Sequence, residues 1–363
     1  MLLYLHLPFC HRICPYCSFY KHTPGRTSIG AFVDALATEA RQRLPQVAAP
    51  RTLYFGGGTP SMLSPGHLTR LFTALHEGVD FATLEEVTLE ANPATFDAAK
   101  ARLFGRLGVT RVSLGIQAFD PQVLATLGRQ HSVAQALESV AILRQAGIPS
   151  VNIDLMFSVP GQSRDSWRAT LEQALALNPD HISAYNLTYE EDTAFFDSLR
   201  RGDMRDDEDH NAELFHLADA LLSDAGFDHY ETSNYARPGH HSSHNQGYWR
   251  GEDYLGLGPS AVSTIANVRS KNIADTSRYI AQIQTLGHAL AEAETLDAEA
   301  QRLERIALGL RTREGIPLTL LTPAALCRAA DLAAADLLRL SADRLVLVHH
   351  GRALVDPIAA ELI

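Results

Sequence analysis

Cysteine is scarce in this sequence, at four residues in 363. So few thiols in so long a chain exclude a disulfide scaffold, the device of small secreted domains that cannot bury enough apolar surface. No run of about 18 uncharged apolar residues occurs, so the sequence gives no membrane-spanning helix. A basic segment leading into an apolar one with a small-residue cleavage site is also missing from the N-terminus, and the expected location is the cytoplasm. Positive charge is in deficit, with 31 Lys and Arg against 42 Asp and Glu and a net charge of -11. General affinity for nucleic acid or anionic lipid is thereby excluded, because both need a basic surface that releases counterions. There is no solenoid repeat, no low-complexity linker and no compositional bias, since 46% hydrophobic and 20% charged residues is ordinary globular usage.

Six short apolar, β-branched runs stand out: "LLYLHL" from Leu2, "TLYFGGG" from Thr52, "EEVTLEA" from Glu85, "RVSLGIQ" from Arg111, "VNIDLMF" from Val151 and "HISAYNLT" from His181. Between them, segments such as "SIGAFVDALATEARQRL" space their apolar residues three and four apart, as amphipathic helices do. Strand and helix in alternation predict an α/β fold with a parallel sheet. Six units are too few for a closed eight-stranded barrel, while the strands read as apolar on both faces, so a partial barrel or a doubly wound sheet fits. Both place ligands at the carboxyl ends of the strands.

The alternation stops near residue 205. One long helix follows, then a loop region rich in Gly, His and aromatics that runs to about 290. Residues 291–363 read as a small, mostly helical domain closed by a hairpin over "RLVLVHHGRALVD". His349 and His350 are expected as solvent-facing residues of that wing, and Cys327, in an alanine-rich helical stretch, as a small buried hydrophobe.

The other three cysteines, Cys10, Cys14 and Cys17, fall directly after the first strand in "YLHLPFCHRICPYC". Three thiolates on one short loop can converge on a soft metal centre. Zinc would need a fourth ligand, which His6, His11 or His22 could supply. A four-iron cluster would keep one iron free for a small chelating ligand. A second group, His240, His241 and His244 beside Tyr248 and Trp249, offers imidazoles of the type that ligate haem, and His240, His244 and Asp253 could hold zinc.

Further residues carry a family resemblance. "CHRICPYC", with Tyr16 before the last cysteine, resembles the C-x3-C-x-aromatic-C loop of radical S-adenosylmethionine (SAM) proteins. "FGGGTPSML", "LEANP", "RVSLGIQAFD", "LGRQHS", "NIDLMFSVPGQ", "YETSNYARPG", "HNQGYW" and "ERIALGLRTREGI" follow in order. Together they resemble the oxygen-independent coproporphyrinogen III oxidase-like proteins, and within these the HemW-type haem chaperone branch. The resemblance implies a partial (β/α)6 TIM-like barrel of radical SAM type over 1–205, a connecting helix and H-N-x-x-Y-W loop region over 206–290, and a winged-helix-like domain over 291–363.

It further implies that Cys10, Cys14 and Cys17 hold a [4Fe-4S] cluster and that Tyr4, Tyr16, Gly57, Gly58, Thr59, Glu90, Gln117, Arg129 and Asp154 contact SAM, whose reductive cleavage would give a 5'-deoxyadenosyl radical. Asn92 and Pro93 read as turn chemistry rather than contacts. His244, Asn245, Tyr248 and Trp249 match the motif tied to haem as cargo, with His244 the leading haem contact. The implied partners are haem, an acceptor haemoprotein, either soluble or membrane-bound, and an electron donor to the cluster. The oxidases carry a fourth cysteine just after the loop and a longer N-terminal extension, whereas Ser18 and Phe19 follow Cys17 here and nine residues precede Cys10. These departures favour the chaperone over the alternative, coproporphyrinogen III oxidation or a related tetrapyrrole modification. A histidine common in the family is replaced by Val262.

Overall fold

The computed structural model describes residues 1–363, the side chain of His349 excepted. Six parallel strands, β1 (Leu2–Leu7), β2 (Thr52–Gly57), β3 (Glu86–Ala91), β4 (Arg111–Gln117), β5 (Ser150–Phe157) and β6 (His181–Asn186), lie side by side in chain order. The helices between them are α1 (Ile29–Arg43), α2 (Pro65–His76), α3 (Ala98–Arg106), α4 (Pro121–Thr126), α5 (Val133–Gln145) and α6 (Arg164–Ala176). Each begins at a Ser or Asp whose side chain accepts an amide of the first turn: Ser28, Ser64, Asp97, Asp120, Ser132 and Ser163. Such caps satisfy donors that the helix itself leaves unpaired.

Strand alternation sorts the side chains. Leu3, Leu5, Leu53, Phe55, Leu89, Val112, Leu114, Ile153 and Leu155 join the helices' apolar faces in one core. The opposite face carries Tyr4, His6, Tyr54, Glu90, Ser113, Asn152, Asp154 and His181, so the interior of the barrel is polar. This corrects the expectation of strands apolar on both faces. The polar residues recur at every second position, hidden among strongly apolar neighbours.

Both edges of the six-stranded sheet are extended. After α7 (Ala194–Arg201) and α8 (Glu208–Asp224), a hairpin of β7 (Asp228–Glu231) and β8 (Asn234–Ala236) joins β6 through β8. After α9 (Ser243–Trp249), β9 (Tyr254–Leu257) pairs in parallel with β1, and β10 (Val262–Ile265), β11 (Val268–Asn272) and β12 (Leu290–Thr295) continue outward, with α10 (Thr276–Leu286) between the last two. The sheet therefore has twelve strands rather than six. The extra strands are short, between three and six residues each, and existing sheet edges supply their pairing.

The last segment packs α11 (Ala298–Gly309), α12 (Pro323–Ala334) and α13 (Val355–Leu362) on a three-stranded sheet of β13 (Ile316–Pro317), β14 (Leu338–Leu340) and β15 (Arg344–Leu347). It has a core of its own around Ile306, Ile316, Leu345 and Ile358. The hairpin is β14–β15, ahead of the expected position: His349–Leu354 form a 3-10 helix that leads into α13. The side chain of His349 lies outside the described residues, and His350 is exposed, as expected, with its Nδ1 3.0 Å from His216 Nε2. Cys327 is exposed on α12, a second correction; the alanines around it suit a solvated helix as well as a buried one.

Candidate cofactor site

Beyond β1 the chain turns back on itself. Cys10 N donates to His22 O at 3.0 Å and His22 N to Pro8 O at 2.8 Å, which clamps the base of the loop. The loop carries three free thiols, Cys10, Cys14 and Cys17, along one side of a cavity of about 610 Å³ at the carboxyl ends of the strands. Thr59 O–H donates to Cys10 Sγ and Arg129 Nη1 to Cys14 Sγ, each at 3.7 Å. Burial pushes the Cys10 and Cys17 thiols up, so a thiophilic metal is needed to displace their protons.

Of the three histidines expected as a possible zinc ligand, His11 is exposed at the cavity and the other two are engaged elsewhere. His6 Nε2 donates to Tyr20 O at 2.7 Å, and His22 bonds Thr276 Oγ1 at 2.7 Å. Among the described residues, no three His, Cys, Asp or Glu side chains surround one point as a single ion requires. His240 faces Ser150, His244 faces Thr52 and Asp253 accepts from Ala266 N, so that zinc set does not converge either.

Gly57 and Gly58 bring the end of β2 against this loop. Gly57 has φ +103°, and a Cβ there would sit 2.5 Å from the His6 ring; at Gly58 it would meet Phe9 O at 2.6 Å and Leu7 O at 2.8 Å. No side chain fits, so the backbone itself walls the cavity. Thr59 N continues the contact to Phe9 O at 2.8 Å. Behind it, His6 Nδ1 accepts from the Tyr4 hydroxyl at 3.0 Å, since the other ring nitrogen donates. Burial pushes His6 down to about 4, and the ring is neutral. Tyr4 supports His6 and does not line the cavity.

Two carboxylates and one guanidinium stand across from the glycines. Glu90 accepts from Tyr54 O–H at 2.8 Å and from Gly57 N at 3.2 Å; burial, with Asp154 adding, pushes it up to about 7. Asp154 accepts from Asn152 Nδ2 at 2.7 Å and from Ser113 O–H at 2.9 Å, and burial raises it too. Arg129 donates to Gly115 O at 2.6 Å and to Asn92 Oδ1, while its Nε is buried with no partner. Gln117 lines the cavity from a backbone at φ +72° at the end of β4, where the register shifts. Tyr16 lines it from the cysteine loop, its ring 6.3 Å from Phe195.

Asn92 was expected only as a turn residue. It does accept Thr95 N at 3.2 Å through its backbone, but its side chain also bridges Thr59 Oγ1, at 2.8 Å, to Arg129. Its place two residues beyond Glu90 was the available signal, because that spacing faces the same side. Tyr54, Met156 and Tyr185 also line the cavity and were not anticipated.

These donors fit a [4Fe-4S] cluster with a zwitterionic, cationic ligand beside it: soft thiols for iron, buried carboxylates for ammonium and hydroxyls, an under-satisfied arginine for a carboxylate.

Comparison with known proteins agrees. The family model of the Radical SAM superfamily matches residues 4–174, which implies a [4Fe-4S] cluster and SAM. The haem chaperone HemW of Lactococcus lactis is 37% identical over 86% of this chain and 82% of its own length. That of Mycobacterium tuberculosis is 38% identical over 99% and 94%. The chain belongs to the HemW family. A mouse mitochondrial radical S-adenosyl methionine domain-containing protein is 36% identical over 86% of this chain and 74% of that one. Coproporphyrinogen III oxidase HemN of Escherichia coli superposes with a TM-score of 0.85 at 24% identity, over 99% of this chain and 89% of that one, and shows the fold alone. Among the described residues of this HemW-family chain, no helix is long and apolar enough to cross a membrane.

The H-N-x-x-Y-W residues are not at this cavity. They form α9 instead of a loop, capped by Ser242, whose Oγ accepts Asn245 N at 3.3 Å. Gly247 lets Leu2 pass, for a Cβ there would meet Leu2 Cδ2 at 2.6 Å. α9 closes the opposite, amino-terminal end of the barrel: His244 bonds Thr52 Oγ1 at 2.8 Å and its ring stacks on Tyr54 at 4.8 Å. His244 is 1% exposed and burial pushes it down to about 3. Its Nε2 and the Trp249 Nε1 are buried without partners. Tyr248 stands edge-on to His244 at 5.0 Å, and Asn245 is half-buried on the same helix. In this conformation His244 is a floor residue, not an open haem ligand.

Proposed function

We propose that this chain is a haem chaperone, which takes up haem as cargo and passes it to an acceptor haemoprotein, and that Cys10, Cys14 and Cys17 hold a [4Fe-4S] cluster with SAM beside it. The observation that carries the cofactor reading is the single cavity shared by the three thiols, Glu90, Asp154 and Arg129. The chaperone reading rests on the HemW relatives, alike over nearly the full length, and on Ser18 and Phe19 standing where the oxidases keep a fourth cysteine.

When bound, the two cofactors supply one-electron reduction of a sulfonium. The protein's own part is to bind and orient. Gly57 and Gly58 let backbone carbonyls approach the methionine ammonium, Glu90 and Asp154 take its ammonium and ribose hydroxyls, and Arg129 takes its carboxylate. Tyr16 and Met156 exclude water from the side of the cavity. Haem reaches His244 only after α9 moves, since the imidazole is buried.

The test is anaerobic reconstitution with iron and sulfide, followed by haem titration of the wild type and His244→Ala. Haem binding that weakens in the variant supports the chaperone with His244 at its haem site. A reconstituted cluster with no haem binding, and a porphyrin product from coproporphyrinogen III, would replace it with the oxidase.

A further inference from the structure

The floor of the barrel and the cofactor cavity are joined by two continuous chains of side chains. The first starts at Asp154, whose Oδ1 accepts from Asn152 Nδ2 at 2.7 Å. Asn152 Oδ1 accepts from His181 Nδ1 at 2.6 Å, His181 Nε2 accepts from Tyr230 O–H at 2.7 Å, and the Tyr230 oxygen accepts from Ser242 N at 3.1 Å. A carboxylate only accepts and a backbone amide only donates, so every proton in the chain points toward Asp154. Asn152, His181, Tyr230 and Ser242 are each no more than 2% exposed, which leaves water no access to replace a broken link.

The second chain starts at Glu90. Tyr54 donates to it at 2.8 Å, and the ring of Tyr54 lies on that of His244, with 26° between their planes. Both chains end on the same helix, at its cap Ser242 and at His244. Glu86 fixes that end, accepting from Ser242 O–H at 3.2 Å and Ser243 N at 2.8 Å.

We propose that α9 is the element that positions both carboxylates of the cofactor cavity, Tyr54 and His244 for Glu90 and Tyr230, His181 and Asn152 for Asp154, so that SAM binding and the packing of α9 are coupled. The proposal rests on the reading that SAM occupies the cavity. Coupling between two sites is reciprocal: SAM tightens α9, and any event that lifts α9, haem capture at His244 included, loosens SAM. Residues of the H-N-x-x-Y-W motif thereby act on the far side of the barrel as positioning residues.

The experiment is hydrogen exchange of the amides of 242–249 in the reconstituted protein with and without SAM, paired with the SAM dissociation constant, for the wild type, Tyr230→Phe and Tyr235→Phe. Tyr235→Phe removes a phenol hydroxyl from β8, outside the chain of bonds. The expected result is slower exchange over 242–249 when SAM is added to the wild type and Tyr235→Phe. In Tyr230→Phe that protection is lost and the dissociation constant rises about fivefold, the worth of one buried hydrogen bond. Should Tyr230→Phe not fold, Tyr54→Phe breaks the other chain while keeping its stacked ring, with the same expectation. A variant that melts earlier yet keeps wild-type SAM affinity and protection makes the chain structural only and overturns the coupling. A wild-type cluster that binds no SAM overturns the cavity reading itself, a result distinct from the former because there is then no affinity to compare.

Discussion

Arg129 holds one guanidinium nitrogen 3.7 Å from Cys14 Sγ, while its other terminal nitrogen reaches Gly115 O and Asn92. One side chain thus faces both the cysteine loop and the space beside it, and its buried Nε has no protein partner. Arg129→Lys keeps the charge and loses the planar fork. The expected outcome is SAM affinity about tenfold weaker with iron content unchanged, read by equilibrium dialysis and iron analysis. Unchanged affinity would remove Arg129 from the ligand's contacts.

Replacing any of Cys10, Cys14 or Cys17 by serine is expected to lower iron and sulfide per chain severalfold after reconstitution, because a cluster held by three thiolates does not survive on two. Cys327→Ser is expected to leave both contents as they are, and Cys327, being exposed, to react with maleimide in the folded protein. Iron retention in a Cys14→Ser chain would contradict the assignment.

Glu90 carries a pH signature. Its ordinary value of 4.5 rises to about 7 on folding, so between those values the folded chain holds more protons than the unfolded one. Stability of the metal-free protein then falls as pH climbs through that window, by on the order of 3 kcal/mol. Glu231, raised to about 7 by burial as well, adds a fall of the same sign. In Glu90→Gln the decline between pH 5 and pH 8 in urea unfolding shrinks; a decline equal to that of the wild type would mean that Glu90 ionises freely.

At Gly58 the obstacle to a side chain is backbone, the carbonyls of Leu7 and Phe9. Gly58→Ala is expected to cost about 1–3 kcal/mol by forcing β1 and β2 apart at their ends. Because that displacement moves Cys10, iron retention falls along with the melting temperature. A variant that melts lower but keeps its iron would separate the loop from β2.

The barrel strands were legible because each carries apolar residues at alternate positions strong enough to mark it, and the site because "GGGTP" and Glu90 sit where such strands end. α9 was not legible. Its seven residues include Gly247 and several polar side chains, and its helical state comes from the Ser242 cap and from packing on Leu2 and Tyr54, which are distant in sequence. β9 to β12 were missed for a related reason: "LAEAET" has no buried face, and its strand state comes from pairing with β11 alone. Asn92 shows a different limit, one residue serving both as turn former and as bridge.

The parallel pairing of Leu2–Leu5 with Tyr254–Leu257 has a meaning for how the molecule is made. The strand that leads into the cysteine loop emerges from the ribosome before the other barrel strands, yet its outer neighbour arrives some 250 residues later, roughly 10–50 s at ordinary rates of synthesis. Through that interval one margin of the nascent sheet is bare, open to mispairing with other chains, and the thiols stand above a barrel that has no floor, since α9 comes late as well. Iron supplied then would meet a loop without its supports. The order of assembly that the topology favours is a finished polypeptide first and its cluster afterwards.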